Sequence, residues 1–161
     1  ADMTGTAVRI IGVGSPFGDD WLGWELAERL RASEALADWS DRVSVSLHDL
    51  PGAALLQAWS GADLVILLDA VRSGAEPGTV HRFDTAQLSA APRALSTHGF
   101  GVADAVMLAA SLDALPGALL FFGIEADAAS KEAGLSDAVH ATLPELVTEI
   151  ESVVRDYLAA H

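Results

Sequence analysis

Asp20, Asp69 and His98 are the side chains of this sequence whose types and positions best suit a shared chemical task. Asp20 closes the segment Gly12-Val13-Gly14-Ser15-Pro16-Phe17-Gly18-Asp19-Asp20, which continues one apolar run; Asp69 directly follows another. His98 lies in Ser96-Thr97-His98-Gly99-Phe100-Gly101. Two carboxylates and an imidazole suit a divalent transition metal, with further positions open to water or to a partner's ligands. A cation there would also relieve the repulsion between neighbouring carboxylates. Each residue has a plainer reading as well. Asp19 is placed to N-cap a helix beginning at Trp21, where an acid also favours the helix dipole, and for Asp19 the cap is the preferred reading. An Asp at the end of a buried strand can open a turn, and His98 can be a hydrogen-bonded loop histidine.

Other chemistries fit less well. Gly12-Val13-Gly14 followed by Gly18 misses the dinucleotide spacing by one residue, although Asp49 stands where a ribose-binding acid would. Asp19 and Asp20 would also meet a pyrophosphate where donors are needed. There is no phosphate-binding P-loop, no G-x-S-x-G elbow and no H-E-x-x-H helix. Ser15 and Ser96 read as turn residues. His81 falls on a half-exposed strand, His140 in a polar helical turn and His161 at the end of the sequence; none of these suggests chemistry. His48 next to Asp49 is harder to set aside. Of the four tryptophans, Trp24 and Trp59 read as packing residues, and Trp21 as either packing or cleft rim.

The elements that would position these groups alternate along the chain. Val8–Val13, Val43–Leu47, Leu64–Leu68 and Ala118–Ile124 are short apolar runs of strand length, and Gly78–Phe83 alternates like an edge strand. Helical spacing of apolar residues marks Trp21–Leu36, Gly52–Trp59, Val102–Leu112 and a final segment carrying Leu143, Leu146, Ile150, Val154 and Leu158. Thr142-Leu143-Pro144-Glu145 carries capping-box chemistry for the start of that last helix. Buried strands alternating with amphipathic helices predict an α/β fold: one three-layer domain over residues 1–161, with a mostly parallel sheet covered on both faces. In such sheets ligands sit beyond the carboxyl ends of the strands, near the point where strand order reverses. The first and third strands are commonly neighbours, which would bring Asp20 and Asp69 together, with His98 closing a triangle.

Composition narrows the function. The 161 residues contain no Cys, which excludes disulfides, thiolate metal sites and cysteine nucleophiles. Nine Lys and Arg stand against 23 Asp and Glu, a net charge of −14, so nucleic acid and anionic membrane surfaces are poor partners. A basic segment or a cation suits the chain better. No apolar run approaches the roughly 20 residues of a membrane span, and the first residues lack signal-peptide character. The expectation is a soluble cytoplasmic protein.

Taken in order, these segments resemble the maturation endopeptidases of [NiFe] hydrogenases. The resemblance runs from Val8 to the last helix. The family's opening motif, similar to G-x-G-N-x-L-x-x-D-[DE]-G-x-G, stands here as Gly12 to Gly23. Its strand-end acid with a following P-G-T turn is matched by Asp69 and Pro77-Gly78-Thr79, and its S-x-H-x-x-G-x-x-D segment by Ser96 to Asp104. Two further segments match at Gly123-Ile124-Glu125 and Gly134-Leu135-Ser136. The chain departs from the pattern with Ser15 for Asn, a loop one residue shorter before the acids, and Trp21 for Gly. The shorter loop leaves Asp19 and Asp20 as alternatives for one inward position.

The resemblance implies a twisted, mainly parallel five-stranded sheet between helices. It also implies a peptidase that removes the C-terminal extension of a hydrogenase large-subunit precursor after nickel insertion. On that reading Asp20, Asp69 and His98 are the catalytic and metal-contacting residues, and nickel is presented by the precursor rather than held by the free protein. The partner is the precursor and the enzyme a monomer. The alternative is a non-catalytic metal- or nucleotide-binding α/β module that chaperones or regulates a partner.

Overall fold

Strands that are apolar on both faces require cover on both sides, and the order of elements supplies it. The structure, a computed structural model, describes residues 7–15, 17–49, 54–90, 102–127 and 134–161. Strand β1 (Val8–Val13) lies between β2 (Val43–His48) and β3 (Leu64–Val71), parallel to both. Strand β5 (Ala118–Glu125) pairs parallel with β3, and β4 (Val80–Asp84) pairs antiparallel with β5. The sheet order is β2-β1-β3-β5-β4, the expected five-stranded, mainly parallel sheet with Val80–Asp84 at one edge.

Alternation along β1 and β3 divides the core in two. Ile10, Leu64, Ile66 and Leu68 pack with Leu22, Leu26 and Leu30 of α1 (Leu22–Arg31) and with Leu143, Leu146, Ile150 and Val154 of α5 (Asp137–Ala160). On the opposite face, Ile11, Val13, Val65 and Leu67 pack with Leu55 of α2 (Ala54–Ala58), Leu88 of α3 (Thr85–Ser89), and Val106 and Ala109 of α4 (Val102–Ser111). Trp59 is buried on this second face, its indole N–H donating to the Ala114 carbonyl at 3.0 Å; the Trp24 indole donates to the His48 carbonyl at 2.9 Å. Both are the packing residues anticipated. Among the described residues no helix is long and apolar enough to cross a membrane.

Three helices differ from the sequence reading. The first ends at Arg31, not Leu36. Ser33 adopts extended dihedrals and its hydroxyl donates to Glu151 of α5, and a 3-10 helix over Glu34–Trp39 then turns Leu36 into the core. The last helix starts at Asp137 with Ser136 as N-cap, so Pro144 lies inside it and Thr142 caps nothing. The Thr142 hydroxyl bonds to the carbonyls of Ala138 and Gly78 instead. A proline inside a helix costs about 3 kcal/mol; burial of Val139 and Leu143 ahead of it offsets that. Helix α3, unanticipated, is opened by a capping box between Asp84 and Gln87.

Candidate active site

Strand order reverses between β1 and β3, and the turn after β1 is pressed into that point by glycines. A Cβ at Gly23 would lie 2.2 Å from the Val13 carbonyl oxygen and 2.6 Å from that of Leu68. One at Gly14 would lie 2.1 Å from the Asp20 oxygen. The start of α1 therefore sits directly against the ends of both central strands. The glycines that suggest a nucleotide loop are required for this close packing.

A 3-10 turn over Gly18–Trp21 carries the two acids, and each is held by different partners. Asp19 is fully buried and accepts three hydrogen bonds: from the Asp127 N–H at 2.8 Å, and from the N–H and hydroxyl of Ser136, each at 2.7 Å. It is not the helix cap that the sequence favoured, since neither the turn nor α1 has a side-chain cap. The donors at the start of α5 hold it more effectively than one helical N–H would. Asp20 lies towards β3, where Arg72 Nη2 donates to its Oδ1 at 2.9 Å. Trp21 and Phe17, on either side of the acids, remain exposed.

Asp69 lies one residue past the point where β1 stops pairing with β3, on the face that carries α2 and α4. Its Oδ1 accepts the Ala70 N–H at 2.7 Å. Loss of solvent pushes its pKa up to about 8; the Ala70 hydrogen bond and the Arg72 charge oppose this, and the nearby Asp20 charge adds to it. Asp69 therefore opens no simple turn: it is a half-buried carboxyl within β3 whose pKa is pushed well above the usual carboxylate range, and an arriving cation would favour its ionised form.

The loop bearing Arg72 is braced by Glu125, at the end of β5 and only 2% exposed. Glu125 accepts from the Ser73 N–H at 2.9 Å, the Ser73 hydroxyl at 2.6 Å, the Gly74 N–H at 3.3 Å and His81 Nε2 at 3.1 Å. Burial alone would push its pKa up, but the bonds from Ser73, His81 and Gly74 outweigh it and hold the carboxyl below the usual range. His81, dismissed from sequence as uneventful, is part of this brace. Arg72 was not singled out either; an arginine three residues after a strand-end acid was the available signal.

His98 lies outside the described residues. The helix that follows it in sequence, α4, packs on the same sheet face as Asp69. His48 is one strand further out on β2, opposite Val13, with its Nε2 3.2 Å from the Ser46 hydroxyl. Among the described residues no three His, Asp or Glu side chains form a metal-holding group, so Asp20 and Asp69 supply at most two ligands.

The HycI hydrogenase maturation protease model matches residues 26–153. The chain belongs to this family of peptidases. Several maturation proteases share its fold. The hydrogenase maturating endopeptidase HybD from Escherichia coli has 20% identity and a TM-score of 0.75, with 94% of each chain covered. The solution structure of an endopeptidase from E. coli gives 0.77 at 22% identity, again over 94% of each chain. HybD from Thermococcus kodakarensis gives 0.69 at 24% identity, over 92% of this chain and 99% of its own. No curated protein sequence matches the chain.

Proposed function

We propose that this maturation protease removes the C-terminal extension of a [NiFe]-hydrogenase large-subunit precursor, and that it acts once the precursor carries nickel. The observation that carries this reading is the approach of Asp20 to Asp69 at the switch point, close enough for one charge to raise the other's pKa. Two neighbouring carboxylates supply oxygen donors and an electrostatic need for a cation. His98, carried over from the family motif, would complete the set ahead of α4.

In this reading nickel is part of the substrate. The precursor brings the ion, Asp20 and Asp69 fill positions left open on it, and Asp69 gives up its proton as it does so. The cut peptide is then held beside the strand ends with Trp21 and Phe17 at the rim. Either the ion polarises the scissile carbonyl or activates water, or a carboxylate freed of its proton serves as base. A chain that reads the ion directly has no need to bind nickel in its free state, and a monomer is sufficient.

The test mixes the protein with its cognate precursor, nickel-loaded or empty, and follows loss of the C-terminal segment by mass spectrometry. Cleavage of the loaded form alone is expected, and Asp20→Asn, Asp69→Asn or His98→Ala should each abolish it while circular dichroism stays unchanged. Full processing by these variants would remove the site assignment. Failure to cut a demonstrably loaded precursor would favour the non-catalytic binding module.

A further inference from the structure

A site meant to receive a cation already has one beside it. Arg72 donates to Asp20 at 2.9 Å, with the two side chains 33% and 20% exposed. The backbone that carries it is anchored, because the next two residues, Ser73 and Gly74, are both bonded to the buried Glu125 carboxylate. The anchored loop thus keeps the arginine beside Asp20, where its guanidinium makes this ion pair.

We infer that Arg72 is a specificity residue that occupies Asp20 in place of a metal, so that free divalent ions are turned away and only an ion delivered by the precursor displaces it. The inference rests on the reading of Asp20 and Asp69 as the groups that meet the precursor's nickel. Its physical basis is simple. A fixed positive charge a few ångströms from a cation site opposes occupancy of that site, and a free ion must overcome this alone. An ion carried by a protein arrives with the whole protein–protein contact, which can supply the free energy for moving the guanidinium aside. The selectivity is thus between free and delivered metal, and it comes from a repulsive element as well as an attractive one. Chemically, the competitor excluded is any hydrated divalent transition ion.

The experiment titrates nickel chloride into the isolated protein by calorimetry, using the unmodified chain, Arg72→Gln and Arg72→Lys. Arg72→Gln removes the charge and should tighten nickel binding at least about tenfold, or make binding measurable where it was not. Arg72→Lys keeps the charge and should stay within about threefold of the unmodified chain, a rescue that a purely structural role would not produce. In the precursor assay, free nickel should inhibit Arg72→Gln at a concentration lower by a similar factor, because the ion now fills the site ahead of the precursor. Arg72→Met, which keeps the apolar stem, replaces Arg72→Gln if that variant does not fold. Equal or weaker nickel binding by the neutral variant overturns the inference, as does the absence of measurable binding in every variant. If processing needs Asp20 and Asp69 while nickel affinity ignores Arg72, only this inference fails. If processing ignores both acids, the reading of the site fails with it.

Discussion

Two adjacent acids in one short turn serve opposite ends, and only their hydrogen bonds tell them apart. Asp19 is a structural acceptor and Asp20 faces β3, a division that spacing left open because either residue could point inward. Asp69 gives the sharpest prediction at this scale. Its folded-state pKa of about 8 stands above the ordinary 3.8, so across that window the folded chain keeps a proton that the unfolded chain has shed. Stability therefore falls as pH rises from about 4 to about 8. Asp69→Asn should flatten this slope and be more stable than the unmodified chain at pH 8 by roughly 1–3 kcal/mol, measured by urea unfolding at several pH values. A variant that keeps the slope would mean Asp69 titrates normally. The neighbourhood of Asp20 and Asp69 was legible, since each follows an apolar run, the first and third strands of such sheets are commonly neighbours, and β1 and β3 do pair. The roles of Arg72 and Glu125 were not, because Arg72 meets Asp20 52 positions away and the partners of Glu125 lie 44 to 52 positions away.

At the level of elements, the site depends on how closely α1 approaches the strand ends. Gly23 is where that approach is tightest, with two backbone oxygens in the space a side chain would take. Gly23→Ala should destabilise the chain by about 1–3 kcal/mol, read as a lower urea midpoint, and should abolish processing by displacing Asp20. An unchanged midpoint would show that α1 can move without cost. The strands were legible to within a few residues because continuous apolar runs leave little choice. Helix ends were less so. Ser136 was hidden as an N-cap because Thr142-Leu143-Pro144-Glu145 offers the better local signal, and tertiary burial of Val139 overrides it. The capping box at Asp84 and Gln87 was visible in the sequence, but five residues carry too little periodicity to mark a helix.

Across the whole molecule, Asp19 joins the first turn to the start of the last helix, binding residues 108 and 117 positions away. Removing it leaves three donors without their acceptor. Asp19→Ala should cost roughly 3 kcal/mol or more in denaturant unfolding, and Asp19→Asn somewhat less because it keeps one acceptor oxygen. A loss well below 1 kcal/mol would mean that water replaces the carboxylate freely. The strand order has a further consequence, one of timing. Among the described residues strand β4 meets the sheet only through β5, which is synthesised after α3 and α4, and α5 follows every strand it covers. A chain emerging from the ribosome would thus carry Val80–Asp84 as an unpaired edge. It would also carry the Leu64, Ile66 and Leu68 face uncovered on the α5 side until α5 has been made. Until α5 closes over the sheet, such a nascent chain exposes hydrophobic surface and an open strand edge, the features that make a folding chain prone to aggregate.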